Sequence, residues 1–288
     1  MMDQDIKTGW LIDGTGASAK ANAVLMVRNG RIESVLSWTD YENKQAEDDK
    51  RHLSDLSSYT ILPGLIDGHV HLSMSGTTDI TKREMQLVAG YEDVEAIIDG
   101  HLTDHFQCGI IAVRDGGDHD GHALRYRKNT VRNNNLPPVI MKLAGKAWHK
   151  RGRYGQLTGT PVLDTCSLAE SIKQRRNDID HIKVINSGLN SLYDFGKQTA
   201  PQFDTDELEE AVCQGGTLGL KTMVHANGEL PVKVSIDSGC HSIEHGFFMG
   251  VFNLEKMAEK RTVWFPTAYT MKAYAELSDS NTIQYDVS

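Results

Sequence analysis

The pattern of apolar and polar positions changes character once along the chain, near residue 59. Before that point it forms three strand-length runs, residues 8–13, 22–28 and 31–36. The last two are joined by Asn29-Gly30, and Asn-Gly between apolar runs predicts a tight hairpin. The stretch from Trp38 to Ser58 is charged and weakly periodic, which predicts a surface connection with one further short strand. Residues 1–58 therefore read as a small N-terminal β unit.

From Tyr59 onward, apolar runs alternate with helical periodicity. Strands are predicted near 59–66, 110–114, 138–143, 181–186, 220–225, 240–245 and 262–267, and helices near 91–106, 120–133, 166–178, 205–215, 229–237, 252–260 and 268–277. Repeated strand–helix units imply a parallel sheet, and seven in one run are more than half of a (β/α)8 barrel of the TIM type. Residues 59–288 read as that α/β barrel domain. A doubly wound open sheet is the weaker alternative. No Gly-x-Gly-x-x-Gly follows an early strand, and polar residues gather at the C-terminal ends of many strands rather than at one switch point.

Composition narrows the class. In 288 residues, 39% are hydrophobic, enough for a sizeable core, and the formal charge of −9 argues against a general nucleic-acid binder. The basic run from Lys146 to Arg153 is short and reads as a loop. Cys108, Cys166, Cys213 and Cys240 have no paired spacing, and Met1 to Lys7 is polar, so a reduced cytoplasmic setting is expected. No apolar run approaches the roughly 18 to 20 residues of a membrane span, so a soluble protein is expected.

The chemistry stands at the predicted strand ends. Pro63-Gly64-Leu65-Ile66-Asp67-Gly68-His69-Val70-His71 closes the first, and alternation on a strand puts His69 and His71 on one face, close enough to grip one cation. Alone, such a pair is as readily two histidines on a solvated strand. The remaining strand ends add Arg114-Asp115-Gly116-Gly117-Asp118, Lys183, His225 and His245. In a barrel these converge on one mouth, and four histidines there suffice for two metals.

These motifs, in this order, resemble the amidohydrolase superfamily of metal-dependent hydrolases, in its imidazolonepropionase and prolidase-like branch. The resemblance runs from about Trp10 to Tyr269 and rests on the Pro63 to His71 opening, Val113 to Gly117, Ile182-Lys183-Val184, Val224-His225-Ala226 and Ile243-Glu244-His245-Gly246. It implies hydrolysis of a C–N bond in a cyclic amide, dipeptide or N-acyl substrate by a metal-activated water. It implies that His69 and His71 bind the more buried metal, His225 and His245 the more exposed one, and that Lys183 bridges both. An ammonium has no lone pair, so a bridging Lys183 has to be carboxylated by CO2. The alternatives are a Lys183 that ion-pairs at the strand end, and Lys142 as a weaker candidate for the same role. Nitrogen and oxygen donors suit two zinc ions per chain, although manganese, iron or nickel fit the same donor types.

His181 shares a face with Lys183 and reads as structural, while His101, His105, His119, His122 and His241 read as surface or packing residues and His52 has no role. His149, Arg151, Arg153 and Tyr154, in the loop after the third strand, suit a substrate carboxylate or carbonyl, and Tyr269 follows the seventh strand. Each is equally readable as a solvated loop residue.

The sequence departs from the family pattern at its C-terminal end. The family calls for an aspartate at an eighth strand, which moves the proton to the leaving nitrogen, and no apolar run precedes Asp279 or Asp286. The strands that return from the C-terminus to complete the N-terminal β-sandwich are also not found. A shortened chain is the expectation, with a homo-oligomer or a partner supplying the missing strand. Two functional readings stand: a metal-dependent amidohydrolase, or a catalytically silent fragment or pseudoenzyme that keeps the fold and metal. A mononuclear deaminase is a third, disfavoured by Lys183.

Overall fold

The computed structural model describes residues 3–45, 52–77, 79–175, 178–189, 191 and 194–277. It divides into two compact units, Met1–Leu65 and Ile66–Ser288.

The first unit contains β1 (Gln4–Leu11), β2 (Lys20–Arg28), β3 (Arg31–Ser37), α1 (Trp38–Gln45) and β4 (Leu53–Ile61). Its sheet runs β3-β2-β1-β4, with β1 antiparallel to β2 and parallel to β4. Asn29 and Gly30 both take left-handed φ, 49° and 73°, as a tight hairpin between right-twisted strands requires. Leu11, Ala23 and Leu25 form its small core. The stretch read as a surface connection instead holds α1 and the nine-residue β4. Most of β4 is exposed. A strand held by backbone pairing alone leaves no apolar alternation to read. The strand expected at 59–66 is two elements, the end of β4 and the start of β5 (Leu65–Val70), parted at Pro63-Gly64, where proline has no N–H to pair.

In the second unit, β5 is followed by α2 (Ile80–Leu87), α3 (Tyr91–Gln107), β6 (Ile110–Asp115), α4 (His122–Arg132), β7 (Ile140–Leu143), β8 (Ala147–His149), β9 (Gly159–Pro161) and α5 (Leu168–Gln174). Then come β10 (His181–Ile185), α6 (Thr205–Thr217), β11 (Lys221–Ala226), α7 (Glu229–Asp237), β12 (Ser242–His245), α8 (Gly250–Lys260), β13 (Val263–Phe265) and α9 (Ala268–Leu277). Helices α5 and α6 open on reciprocal capping boxes, Ser167 with Glu170 and Asp204 with Glu207.

The strands form two sheets, β5-β6-β7 and β13-β12-β11-β10-β8-β9. Pairs β6–β7, β10–β11, β11–β12 and β12–β13 are parallel, as the strand–helix repeat predicts. Between β7 and β10 the link is one residue, Asp180. Its N–H donates to the Leu143 carbonyl at 2.8 Å and its carboxylate accepts from the Leu143 N–H at 2.8 Å.

Alternation along these strands separates core from site. Ile182, Val184, Val224 and Ile243 point into an apolar cluster with Leu208, Ile236 and Met257 from the helices. A second cluster joins Val113 and Leu143 to Ile98, Leu102 and Tyr126. The intervening positions, including Lys183, His225 and Glu244, face away from those helices.

Among the described residues no strand pairs with the far edge of β13, and side chains cross from β13 to β5 instead. The Phe265 ring lies so close to Gly68 that a Cβ there would come within 1.9 Å of it. The tail from Ser278 to Ser288, with Asp279 and Asp286, lies outside the described residues. Among those described, no helix is long and apolar enough to cross a membrane.

Candidate metal centre

His69, in β5, and His71, just beyond it, have ring centroids 5.5 Å apart. The His69 ring lies 4.9 Å from that of His245, and His245 lies 4.6 Å from His225. Residues distant in sequence are thus gathered at the ends of β5, β11 and β12. His245 reaches the cluster by an irregularity. Its φ of 68° is left-handed, so it breaks the alternation that would otherwise send it outward with Ile243. A non-glycine residue held there stores about 1 to 3 kcal/mol of strain, a cost concentrated at functional sites.

Each ring commits one nitrogen to the protein. His69 Nδ1 bonds the Glu244 carboxylate at 2.6 Å and His71 Nδ1 the Gly117 carbonyl at 2.8 Å. His225 Nε2 bonds the Gly188 carbonyl at 3.1 Å, and His245 Nδ1 the Thr267 hydroxyl at 2.7 Å. A carbonyl or carboxylate only accepts, so the bonded nitrogen of His69, His71 and His225 carries the proton and the opposite nitrogen presents a lone pair. That is how metal-ligating histidines are oriented.

Lys183 is buried to 2% exposure, and its Nζ has no hydrogen-bond partner among the described residues. Burial lowers its pKa to about 8, against the opposing pull of Glu244. Burial and then the positive charge of Lys183 depress His69, His71 and His225, and burial followed by the neighbouring His225 and His69 rings depresses His245. The histidines are accordingly neutral near pH 7, the state in which imidazole donates to a metal.

The residues fit a metal: neutral nitrogen donors with lone pairs exposed, and a buried amine with no partner. Among the described residues, no three His, Cys, Asp or Glu side chains are drawn close enough to enclose an ion as they stand. The donors are assembled and the rings pack edge to face on one another.

Support for the cluster comes from residues of the same motifs to which the sequence assigns no role. Glu244 is fully buried and accepts from Arg114 at 2.7 Å and Ser242 at 2.6 Å besides His69. Arg114 also donates to the Gly68 carbonyl at 2.7 Å, and its guanidinium stacks 4.1 Å from the Phe265 ring centroid. The signal for Glu244 was an acid inside a four-residue strand, Ser242-Ile243-Glu244-His245, two positions from Ser242 on the same face. Asp115, buried, accepts from the N–H groups of Leu72 and Gly117 and fixes the turn after His71, while burial raises its pKa to about 7. His101 of α3 holds the Leu72 carbonyl at 2.9 Å.

Of the substrate-facing candidates, two turn inward. The Tyr154 ring lies 5.5 Å from that of His225, and His149 is buried in β8 with its Nε2 lacking a hydrogen-bond partner among the described residues. Arg151 pairs with Asp164 at 3.2 Å, and Arg153 donates to the Ala200 carbonyl at 2.9 Å. Tyr269 lies in α9 and is 72% exposed. Lys142 is exposed and pairs with Asp180, which removes it as an alternative to Lys183. His181, buried, bonds the Asp115 carbonyl at 3.1 Å.

The architecture matches solved structures of known proteins. A Xaa-Pro dipeptidase with methionine bound in its active site is 25% identical, with a TM-score of 0.73 over 96% of this chain and 69% of that chain. The Aspergillus niger ochratoxinase (A. niger) is 19% identical, with a TM-score of 0.77 over 99% of this chain and 69% of its own. A prolidase complexed with N-methylphosphonate-L-proline is 17% identical, with a TM-score of 0.75 over 96% and 68%. No curated protein sequence matches. A sequence model described as "Amidohydrolase family" matches residues 60–284, a span that holds every histidine of the cluster and Lys183, and the chain belongs to the amidohydrolase family.

Proposed function

We propose that this chain hydrolyses a C–N bond in a small amide, dipeptide or N-acyl compound, at two zinc ions held by His69, His71, Lys183, His225 and His245. The observation that carries this reading is the set of ring-nitrogen partners, four neighbouring histidines each held by a protein group, together with a buried amine that has no partner among the described residues. When bound, divalent metals supply Lewis acidity toward a carbonyl and acidify a water toward neutrality.

The chain's own residues do the rest. Glu244, anchored by Arg114, orients His69, and the Gly117 and Gly188 carbonyls orient His71 and His225. Lys183, with its pKa lowered to about 8 by burial, has a larger neutral-amine fraction near pH 7 than an ordinary lysine. The lone pair of that fraction adds to the carbon of CO2 and the nitrogen gives up a proton to solvent, which turns the side chain into an anionic oxygen donor. Tyr154, beside His225, and buried His149 would meet a substrate's carbonyl or carboxylate. The Xaa-Pro dipeptidase and prolidase among the similar structures support an Xaa-Pro dipeptide as the first substrate to try. Four free cysteines suit a reduced, cytoplasmic setting.

A silent chain that keeps the fold and metal is the second reading. What favours it is that the carboxylates described beside the cluster are already committed, Glu244 to Arg114, Ser242 and His69, and Asp115 to the Leu72 and Gly117 N–H groups, so neither is free to move the proton.

The test is elemental analysis of protein purified in bicarbonate without chelator, together with release of free proline from a panel of Xaa-Pro dipeptides. About two metals per chain with chelator-sensitive release is the expected result. Metal without turnover of any amide selects the silent reading, and a chain without metal overturns both.

A further inference from the structure

The Ile66–Ser288 unit carries a concavity of about 590 Å3 between α4 and the end of α5, lined by residues outside the histidine cluster. That volume lies within the roughly 300 to 1,000 Å3 of small-molecule sites. Its charge runs against the chain's overall −9: Arg125, Lys128, Lys146 and Arg175 line it, against one carboxylate, Asp120.

The two arginines are held by aromatic faces rather than by acids. The Arg125 guanidinium lies 3.8 Å from the Tyr91 ring centroid, and that of Arg175 lies 4.8 Å from the Trp148 centroid. Stacking fixes a guanidinium while leaving its N–H fork free to donate. Among the described residues no carboxylate pairs with Arg125, Arg175 or Lys146. Lys128 pairs at 2.7 Å with the exposed Asp178. Asp120 faces His122 at 3.5 Å.

The remaining wall is apolar. Leu124 and Ile179 face the space, and Trp148, only 5% exposed, contributes to the same lining. The stem of Lys146 passes Gly121 at contact distance: a Cβ there would sit 3.6 Å from Lys146 Cε.

We infer that this cleft binds an organic oligophosphate, a polyanionic head joined to an apolar body, at a site separate from the histidine cluster. With Lys128 committed to Asp178, the three remaining cations, Arg125, Lys146 and Arg175, set against Asp120 alone, call for a head of more than one negative charge, and forked guanidinium donors match phosphate oxygens in pairs. The apolar wall calls for a body that inorganic phosphate lacks.

The test is isothermal titration calorimetry on the full chain, both metal-loaded and chelator-treated, with inorganic pyrophosphate, adenosine diphosphate and citrate as probes. Expected are saturable binding of pyrophosphate in both metal states, tighter binding of adenosine diphosphate, and weaker binding of citrate. Arg125→Gln with Arg175→Gln should weaken pyrophosphate about tenfold or more, as loss of charge-assisted hydrogen bonds does. Lys146→Gln, which disturbs neither aromatic stack, should weaken it in the same direction. Binding confined to the metal-loaded protein would assign the anion to the metal centre and overturn the inference. So would citrate binding as tightly as pyrophosphate, no gain from the adenosine body, or affinity unchanged in both variants. None of these outcomes depends on whether the chain hydrolyses an amide.

Discussion

Glu244 is a carboxylate with no exposure to water, held by one guanidinium, one hydroxyl and one imidazole. Removing Arg114 would leave that charge buried and uncompensated. Arg114→Ala is expected to cost about 3 to 5 kcal/mol in urea unfolding. Arg114→Ala with Glu244→Gln should recover part of it, and a double variant no more stable than the single would refute the account. The histidines carry a pH signature. Burial and then the charge on Lys183 hold His71 to about 4 and His225 to about 3, and burial holds His181 to about 4. Unfolded histidine takes its proton near about 6.5. Between there and about pH 4 the unfolded chain binds more protons than the folded one, so metal-free protein loses stability as pH falls through that window. A urea midpoint that holds or rises on acidification would contradict this. At this scale the sequence was informative where alternation governs. Lys183 and His225 could be placed because they stand between buried apolar neighbours, Ile182 and Val184, and Val224 and Ala226, whereas His69 was marked only by its spacing from His71. Glu244 was passed over because a carboxylate inside a short strand is identified only by the cation that meets it, and Arg114 lies 130 positions away in sequence.

Elements long enough to show a period were readable, and those held by other forces were not. Six strands stand near their predicted places and the seventh, 59–66, is split between β4 and β5, but β8 and β9 have three residues each, too few to show alternation, and they fall within what reads as one loop. Their pairing is set by close approach, since a Cβ on Gly159 would come within 2.0 Å of the Ala147 carbonyl. Helix α2 was not anticipated either. The turn after β6 shows how a short connection governs a proposed ligand. Gly117 has φ of 92°, its carbonyl orients His71, and a Cβ on it would meet the Gly145 carbonyl at 2.9 Å. Gly117→Ala is expected to lower stability by about 1 to 3 kcal/mol and to weaken metal binding about 10- to 100-fold. Unfolding curves and competitive metal titration that both match the parent would dismiss this role for the turn.

For the whole molecule, the strand–helix repeat made the α/β architecture legible, whereas the way the sheets meet was not. Asp180 links β7 to β10, and Arg114 with Phe265 reaches across to β5, which are side-chain contacts that no periodicity announces. Because the proposed ligands come from β5, β10, β11 and β12, binding should favour the folded chain as a unit. Zinc at 100 times its dissociation constant is expected to stabilise it by about 2.7 kcal/mol, read as a rise in melting temperature that His225→Ala abolishes. An equal rise in that variant would place the metal elsewhere. The four ring partners also differ in how they can be lost. Thr267 and Glu244 act through side chains that a single codon change can delete, whereas Gly188 acts through a peptide oxygen that every amino acid carries. Random mutagenesis would therefore release His69 and His245 ahead of His225, and a laboratory lineage drifting under weak selection should change its metal preference through that pair while His225 keeps its aim.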